Sequence, residues 1–137
     1  PRLENIEKMF REIRPEANME FILAPDARDN DKVLASLHPN SLVINATGLG
    51  KDRPGSPLSD GCVFPYNSLV WEFNYRGDLR FMYQALEQKE ENNLYVEDGW
   101  IYFLHGWTQV IAEVFHLDLT KEKFDAIDKK SAEVCGR

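Results

Sequence analysis

Cysteine is scarce in this chain of 137 residues: only Cys62 and Cys135 occur, and they form neither a metal-ligand spacing nor a disulfide framework. That scarcity favours a reducing, cytosolic setting. Positive charge is short as well. Lys and Arg number 16 against 23 Asp and Glu, a net charge of −7, so no basic stripe stands ready to neutralise phosphates. Nucleic acid is therefore not expected as the main partner.

A long hydrophobic run is also missing. The most apolar stretch, residues 100–117, is interrupted by His105, Thr108, Gln109, Glu113 and His116, which suits a core helix and no signal segment or membrane span. No complete phosphate-binding glycine fingerprint occurs, because GLGKDRPG follows its strand through Asn45-Ala46-Thr47 and opens no helix. Ser131 and the two cysteines have no visible base partner, so nucleophilic catalysis has no support. His105 and His116 lie about three helical turns apart without a third ligand, and no metal site is expected.

What remains is the composition of a soluble globular protein, 43% hydrophobic and 28% charged, long enough for one domain with a core. Leu3, Ile6, Phe10 and Ile13 share one face of a helix over 2–14 that Pro15 ends. Phe21-Ile22-Leu23 reads as a short strand. A helix over 29–37 turns Val33, Leu34 and Leu37 inward. The strand Ser41 to Asn45 then opens into the glycine-bearing loop Gly48-Leu49-Gly50, and its continuous apolar run suits a parallel strand covered on both faces.

Residues 51–67, rich in glycine and proline, form a long excursion of the functional or lid-like kind. The next strand is Leu69 to Phe73. Asp78 caps a helix to about Lys89 that buries Leu79, Met82, Tyr83 and Leu86. Leu94-Tyr95-Val96 is a strand, and Glu97-Asp98-Gly99 turns it into the helix 100–117 with the stripe Phe103, Trp107, Val110, Ile111 and Val114. A last helix, 120–134, starts at the cap Thr120 and turns Phe124, Ile127 and Val134 inward. The alternation predicts α/β with a parallel sheet. Three strand exits, at Asn45-Ala46-Thr47, Asn74-Tyr75 and Asp98-Gly99, would then converge on one crevice. Gly48 and Gly99 either let a flat ring or phosphate approach the backbone or serve turns that need positive φ.

The combination NSLVINATGLG, GSPL, VWEFNY, a DG turn and a helix carrying Gln109 resembles the cofactor domain of the shikimate/quinate dehydrogenase family, over roughly Leu42 to Phe115. Trp71-Glu72 stands where the family more usually has Tyr-Asp, and HGWTQVIAEVF differs from its usual helix, which marks a divergent member. The resemblance implies a partial Rossmann-like parallel sheet with flanking helices, lacking the first two strands of the cofactor domain. Residues 1–137 would be the C-terminal portion of an NAD(P)-binding domain. It implies a dehydrogenase that moves a hydride between NAD or NADP and a hydroxy or keto group of a ring carboxylate, in aromatic amino acid biosynthesis.

Position by position, the resemblance puts Asn45, Ala46, Thr47 and Gly48 on the nicotinamide side of the crevice. Phe73 would meet the nicotinamide through its backbone, and Gly99 would offer its carbonyl. Tyr75 and Gln109 would hydrogen-bond the small-molecule substrate. The family's catalytic lysine and aspartate match no residue here, so no catalytic residue is assigned and the chain alone is expected to be inactive. The partner that the resemblance implies would be the N-terminal remainder of the same protein, with its substrate domain and glycine-rich turn. In the order 3-2-1-4-5-6, two absent strands would separate Phe21-Ile22-Leu23 from Ser41 to Asn45 by roughly 14 Å. Unpaired backbone beside that gap would keep the chain from persisting alone. The alternative is a non-catalytic nucleotide-binding or regulatory module on the same fold, with Trp100 to Phe103 and Trp107 as a partner surface.

Overall fold

Three short strands pair in parallel in the computed structural model, which describes residues 2–137. The elements are α1 (Arg2–Ile13), α2 (Ala27–Ala35), β1 (Leu42–Asn45), β2 (Leu69–Glu72), α3 (Arg80–Glu87), β3 (Tyr95–Glu97), α4 (Trp100–Phe115) and α5 (Lys121–Cys135). The sheet order is β1-β2-β3, with Val43 opposite Val70 and Val70 opposite Val96. The protein is therefore α/β, with an open three-stranded parallel sheet flanked by helices.

Phe21-Ile22-Leu23 is not a strand. The apolar run is there, but no strand pairs with it, and Leu23 is 77% exposed. Phe21 instead meets Phe10 of α1 edge to face at 5.6 Å, and the Arg11 guanidinium donates to the Ala17 carbonyl at 3.1 Å. With no strand there, the described sheet is contiguous and the expected gap within it does not arise. Among the described residues α1 buries none of its own side chains.

The core lies on one face of the sheet. Val70 of β2 packs with Leu34 of α2, Phe81 and Ala85 of α3, Leu94, and three residues of the long loop, Leu58, Cys62 and Phe64. Alternation along the strands sends Leu42, Ile44, Leu69 and Tyr95 to the other face, where all four are exposed. The expectation that β1 is covered on both faces is thus corrected: it is covered on one.

The loop between β1 and β2 is not a lid. A parallel connection must cross over the sheet, usually as a helix, and here it crosses as irregular chain that enters the core. Its backbone groups then need partners. Gln84 donates to the carbonyls of Ser59 at 2.9 Å and Leu58 at 3.4 Å, and accepts from the Ser56 hydroxyl at 2.7 Å. Gln88 donates to the Cys62 carbonyl at 3.0 Å and accepts from the Phe64 amide at 3.1 Å; Asn92 donates to the Phe64 carbonyl at 3.1 Å. This polar stripe corrects the expected buried face of α3. Phe81, Gln84 and Ala85 are inside, while Tyr83 and Leu86 are exposed.

Three caps also sort themselves. Asp26 accepts from the amides of Arg28 and Asp29, so α2 begins at Ala27, ahead of the expected Asp29. Thr120 accepts from the Lys123 amide at 3.4 Å and caps α5 as expected. Asp78 does not cap α3: its carboxylate accepts from the Gly55 amide at 3.1 Å, and left-handed Leu79, φ 46°, precedes the helix.

Helix α4 buries Leu104, Thr108 and Ala112, an i, i+4 row of small and medium side chains. The expected stripe of Trp107, Val110, Ile111 and Val114 is exposed instead. On α5, Phe124 is half-buried and stacks on His105 at 4.0 Å, whereas Val134 is 76% exposed and does not face inward. No described helix is long and apolar enough to cross a membrane.

Two glycines give opposite expectations. At Gly77, φ is +100° and an added Cβ would lie 2.1 Å from the Gly50 carbonyl oxygen. Gly77→Ala should cost roughly 3 kcal/mol or more of folding stability. Gly106, inside α4, has open space around a Cβ, so Gly106→Ala should stabilise by about 0.5–1 kcal/mol through helix propensity. Chemical denaturation of both variants checks the pair.

Candidate functional site

Parallel pairing carries the carboxyl ends of β1, β2 and β3 to one edge of the sheet, and the chain binds that edge together. The Phe73 amide donates to the Asn45 carbonyl, the Gly99 amide to the Asn74 carbonyl, and the Leu79 amide to the Gly50 carbonyl, each at 3.1 Å. A Cβ at Gly99 would fall 2.1 Å from the Phe73 carbonyl oxygen, so glycine there lets the exits of β2 and β3 pass each other. Its φ of −85° is ordinary. Gly99 thus answers neither of the two expectations made for it, ring approach or a positive-φ turn: it is a close-packing glycine.

Beneath this edge lies a buried carboxylate. Glu72 is 0% exposed, and among the described residues no cation is paired with it. Asn45 donates through Nδ2 to both of its oxygens, at 2.8 and 3.1 Å, and Asn74 donates through its backbone amide at 2.9 Å and its Nδ2 at 2.7 Å. The same two Nδ2 groups reach the Leu49 carbonyl at 3.4 and 3.0 Å. Asn45 Oδ1 then accepts from the amide and hydroxyl of Thr47 at 3.0 and 2.7 Å. The loop from Ala46 to Gly50 is in this way tied to the acidic side chain of the neighbouring strand. Register makes it possible, since Asn45 stands opposite Glu72.

Above the edge opens a cleft of about 670 Å³ between the β1 loop, the β2 exit and α4. Its walls are aromatic. Phe73 stacks on Tyr102 at 4.6 Å and Tyr75 on Phe103 at 3.9 Å, with Trp107 edge-on to Phe103 at 6.5 Å. Lys51 and Asp52 stand at its margin, the Lys51 ammonium 5.7 Å from the centre of the Tyr75 ring. The Tyr75–Phe103 wall also borders a second cleft of about 520 Å³ reaching to the end of α5.

Of the residues expected at the site, Ala46, Thr47, Gly48, Phe73 and Tyr75 line the larger cleft. Asn45 and Gly99 are buried and do not line it. Gln109 does not line it either: it sits on the flank of α4, exposed, and donates to Glu113 at 3.0 Å. Sequence reasoning overlooked Lys51, Tyr102 and Gly106 as lining residues, and assigned Phe103 and Trp107 to the core. The missed signal was that 102, 103, 106, 107 and 110 form one face of α4 at helical spacing. Among the described residues no group of three metal-ligating side chains comes together. Burial, aided by nearby Asp31, pushes the Cys62 thiol up to about 11, which keeps it protonated and unreactive.

Fold and site together define an α/β protein with an aromatic cleft at the carboxyl edge of a parallel sheet, the general location of ligand sites in such folds. The chain matches no protein-family model, and comparison with curated proteins and with solved structures returns no similar chain.

Burial raises the Glu72 carboxyl above its ordinary value of 4.5, against the donors that favour the charged form. A raised native value means that the folded state holds the proton more tightly than the unfolded chain. The group's contribution to stability is then fully present below pH 4.5 and is lost as pH rises through the native value. An NMR titration of the Glu72 side-chain carbon should give a midpoint above 4.5; a midpoint at or below it would show that the donors outweigh burial. Glu72→Gln sets an amide donor against those of Asn45 and Asn74, and should cost about 2 kcal/mol at neutral pH.

Proposed function

We propose that this chain forms the nicotinamide side of an oxidoreductase site like that of the shikimate/quinate dehydrogenases, on a partial Rossmann-like sheet. The parent protein would move a hydride between NAD or NADP and a hydroxy or keto group of a ring carboxylate. One observation carries the reading: Ala46, Thr47 and Gly48 from one strand exit, and Phe73 and Tyr75 from the next, line a single cleft.

The residues present fit the ring end of such a cofactor. Phe73 and Tyr102 offer flat apolar surface against which a ring can lie and water is excluded. No glycine-rich phosphate turn occurs among the described residues, so nothing here is assigned to the pyrophosphate. The cofactor, when bound, supplies the hydride chemistry, and the chain supplies orientation. Thr47 spends its hydroxyl within the loop, donating to Asn45 and accepting from the Leu49 amide at 3.2 Å, and so shapes the cleft. Among the described residues the Tyr75 phenol makes no hydrogen bond, and it lines the cleft as a polar group that can meet a hydroxylated ligand. The second reading, a non-catalytic nucleotide-binding or regulatory module, draws on the exposed aromatic and aliphatic surface of α4, where Trp107 is 59% exposed.

NADH added to the chain should shift the backbone amide resonances of Thr47, Gly48 and Phe73. In the complete polypeptide Tyr75→Phe should raise the substrate KM about tenfold, the worth of one hydrogen bond to a bound ligand, with cofactor affinity little changed. Gln109→Ala should raise it less, since its side chain bonds Glu113 outside the cleft. An unchanged KM in Tyr75→Phe removes the phenol from the site, and turnover by neither NADH nor NADPH favours the regulatory module.

A further inference from the structure

We infer that the mouth of the aromatic cleft is an anion site, with Lys51 as the residue that selects a ring bearing a carboxylate over the same ring uncharged. This rests on the reading of the cleft as a ring-binding site and adds to it the group that reads the ring's charge.

The argument begins from charge. The chain carries −7 overall, yet two cations gather around one carboxylate of the cleft margin, Lys51 from this cleft and Arg76 from the neighbouring one. Lys51 Nζ lies 3.5 Å from Asp52, and Arg76 lies 3.6 Å from the other oxygen of the same group. Two positive charges share one negative, which leaves a local surplus of one. Both distances exceed the 2.7–2.9 Å of a close charge-assisted contact, so neither cation spends its best donor geometry on Asp52.

Three further carboxylates of the strand exits are otherwise engaged. Asp78 accepts from the Gly55 amide, Asp98 pairs with Arg137, and Glu72 is enclosed by Asn45 and Asn74 beneath the loop.

Position supports the same assignment. The Lys51 side chain is 25% exposed, so its stem lies along the protein and its ammonium is held at the cleft margin. Lys51 and Arg76 stand 5.7 and 5.9 Å from the centre of one ring, that of Tyr75, whose other neighbour is Phe103 stacked at 3.9 Å. A cation held over an aromatic ring keeps part of its charge unneutralised and fixed in place. A planar ligand lying along Phe73 and Tyr102 with a carboxylate on its rim would bring that group toward Lys51. Partial burial makes such a contact worth more than one on open surface.

The test compares benzoate with benzamide, which share a shape and differ in charge, by titration against the amide resonances of Thr47, Gly48 and Phe73. Benzoate should bind about fivefold tighter than benzamide, the scale of one partly exposed charge contact, and its advantage should shrink with added salt. Lys51→Met should abolish the preference without changing benzamide binding. Lys51→Arg should retain it, and Asp52→Asn, which removes the shared negative charge, should enlarge it. Both positions lie outside the core, Asp52 exposed and Lys51 half-buried, and an unchanged amide spectrum outside the cleft verifies the fold of each variant. Equal binding of the two ligands, no benzoate binding up to its solubility limit, or a preference that survives Lys51→Met overturns the assignment. If NADH leaves these resonances in place while the benzoate preference holds, the cofactor reading fails and the anion site stands.

Discussion

The carboxylate of Glu72 is the constraint around which the functional edge of the sheet is arranged. A carboxylate removed from water costs several kcal/mol unless hydrogen bonds replace the lost hydration. Here four donor contacts from Asn45 and Asn74 take that role, with no cation beside them among the described residues. These two asparagines sit at the ends of adjacent parallel strands, so satisfying one buried charge fixes the relation between both strand exits. Because each also reaches the Leu49 carbonyl, the glycine-bearing loop inherits its position from the same group. A neutral apolar residue at 72 would leave both amides seeking partners in a place without water.

A second polar system explains how a long irregular segment can be interior. The connection from β1 to β2 contributes Leu58, Cys62 and Phe64 to the core, which buries backbone along with side chains. Gln84 of α3, Gln88 at its cap and Asn92 just beyond follow at one-turn spacing: all three donate to carbonyls of that backbone, and Gln88 also accepts from the Phe64 amide. Side-chain amides are suited to this, since each presents both kinds of group from one end. This was legible in part: the spacing of 84, 88 and 92 marks a polar row on an otherwise apolar helix. Counting only apolar residues passed over the row and misplaced part of the buried face onto Tyr83 and Leu86.

The elements whose fate depends on local chemistry alone were read well. Strands β1, β2 and β3, the Thr120 cap and the α/β alternation follow from apolar runs, turn residues and capping side chains within a few positions. Where the outcome depends on a distant partner, local reading failed. Phe21-Ile22-Leu23 has a strand's composition, but pairing is what makes a strand, and no neighbour supplies it. Asp78 has a cap's chemistry but is drawn to the Gly55 amide by a loop 23 residues earlier in the chain. Five of the expected site residues reached the cleft because strand exits converge once the sheet is parallel. Gln109 did not, since its place depends on how α4 is rotated, and that angle follows from packing.

The rotation of α4 links core to cleft. The helix is apolar on most sides, so hydrophobicity alone does not select a face. What selects it is closeness: Leu104, Thr108 and Ala112 form the row that is buried, and Thr108 returns its hydroxyl to the Leu104 carbonyl at 2.7 Å, leaving no polar atom to satisfy elsewhere. Larger side chains are thereby turned outward. On one side they become the cleft wall, where Tyr102 and Phe103 find stacking partners in Phe73 and Tyr75 from the β2 exit. Gly99 permits this meeting, because any side chain there would collide with the Phe73 carbonyl and push the start of α4 away from the strand. The cleft is therefore no surface accident. Its floor is fixed by a buried charge, its far wall by the row of smaller residues on the opposite face of α4, and the hinge between them by one glycine.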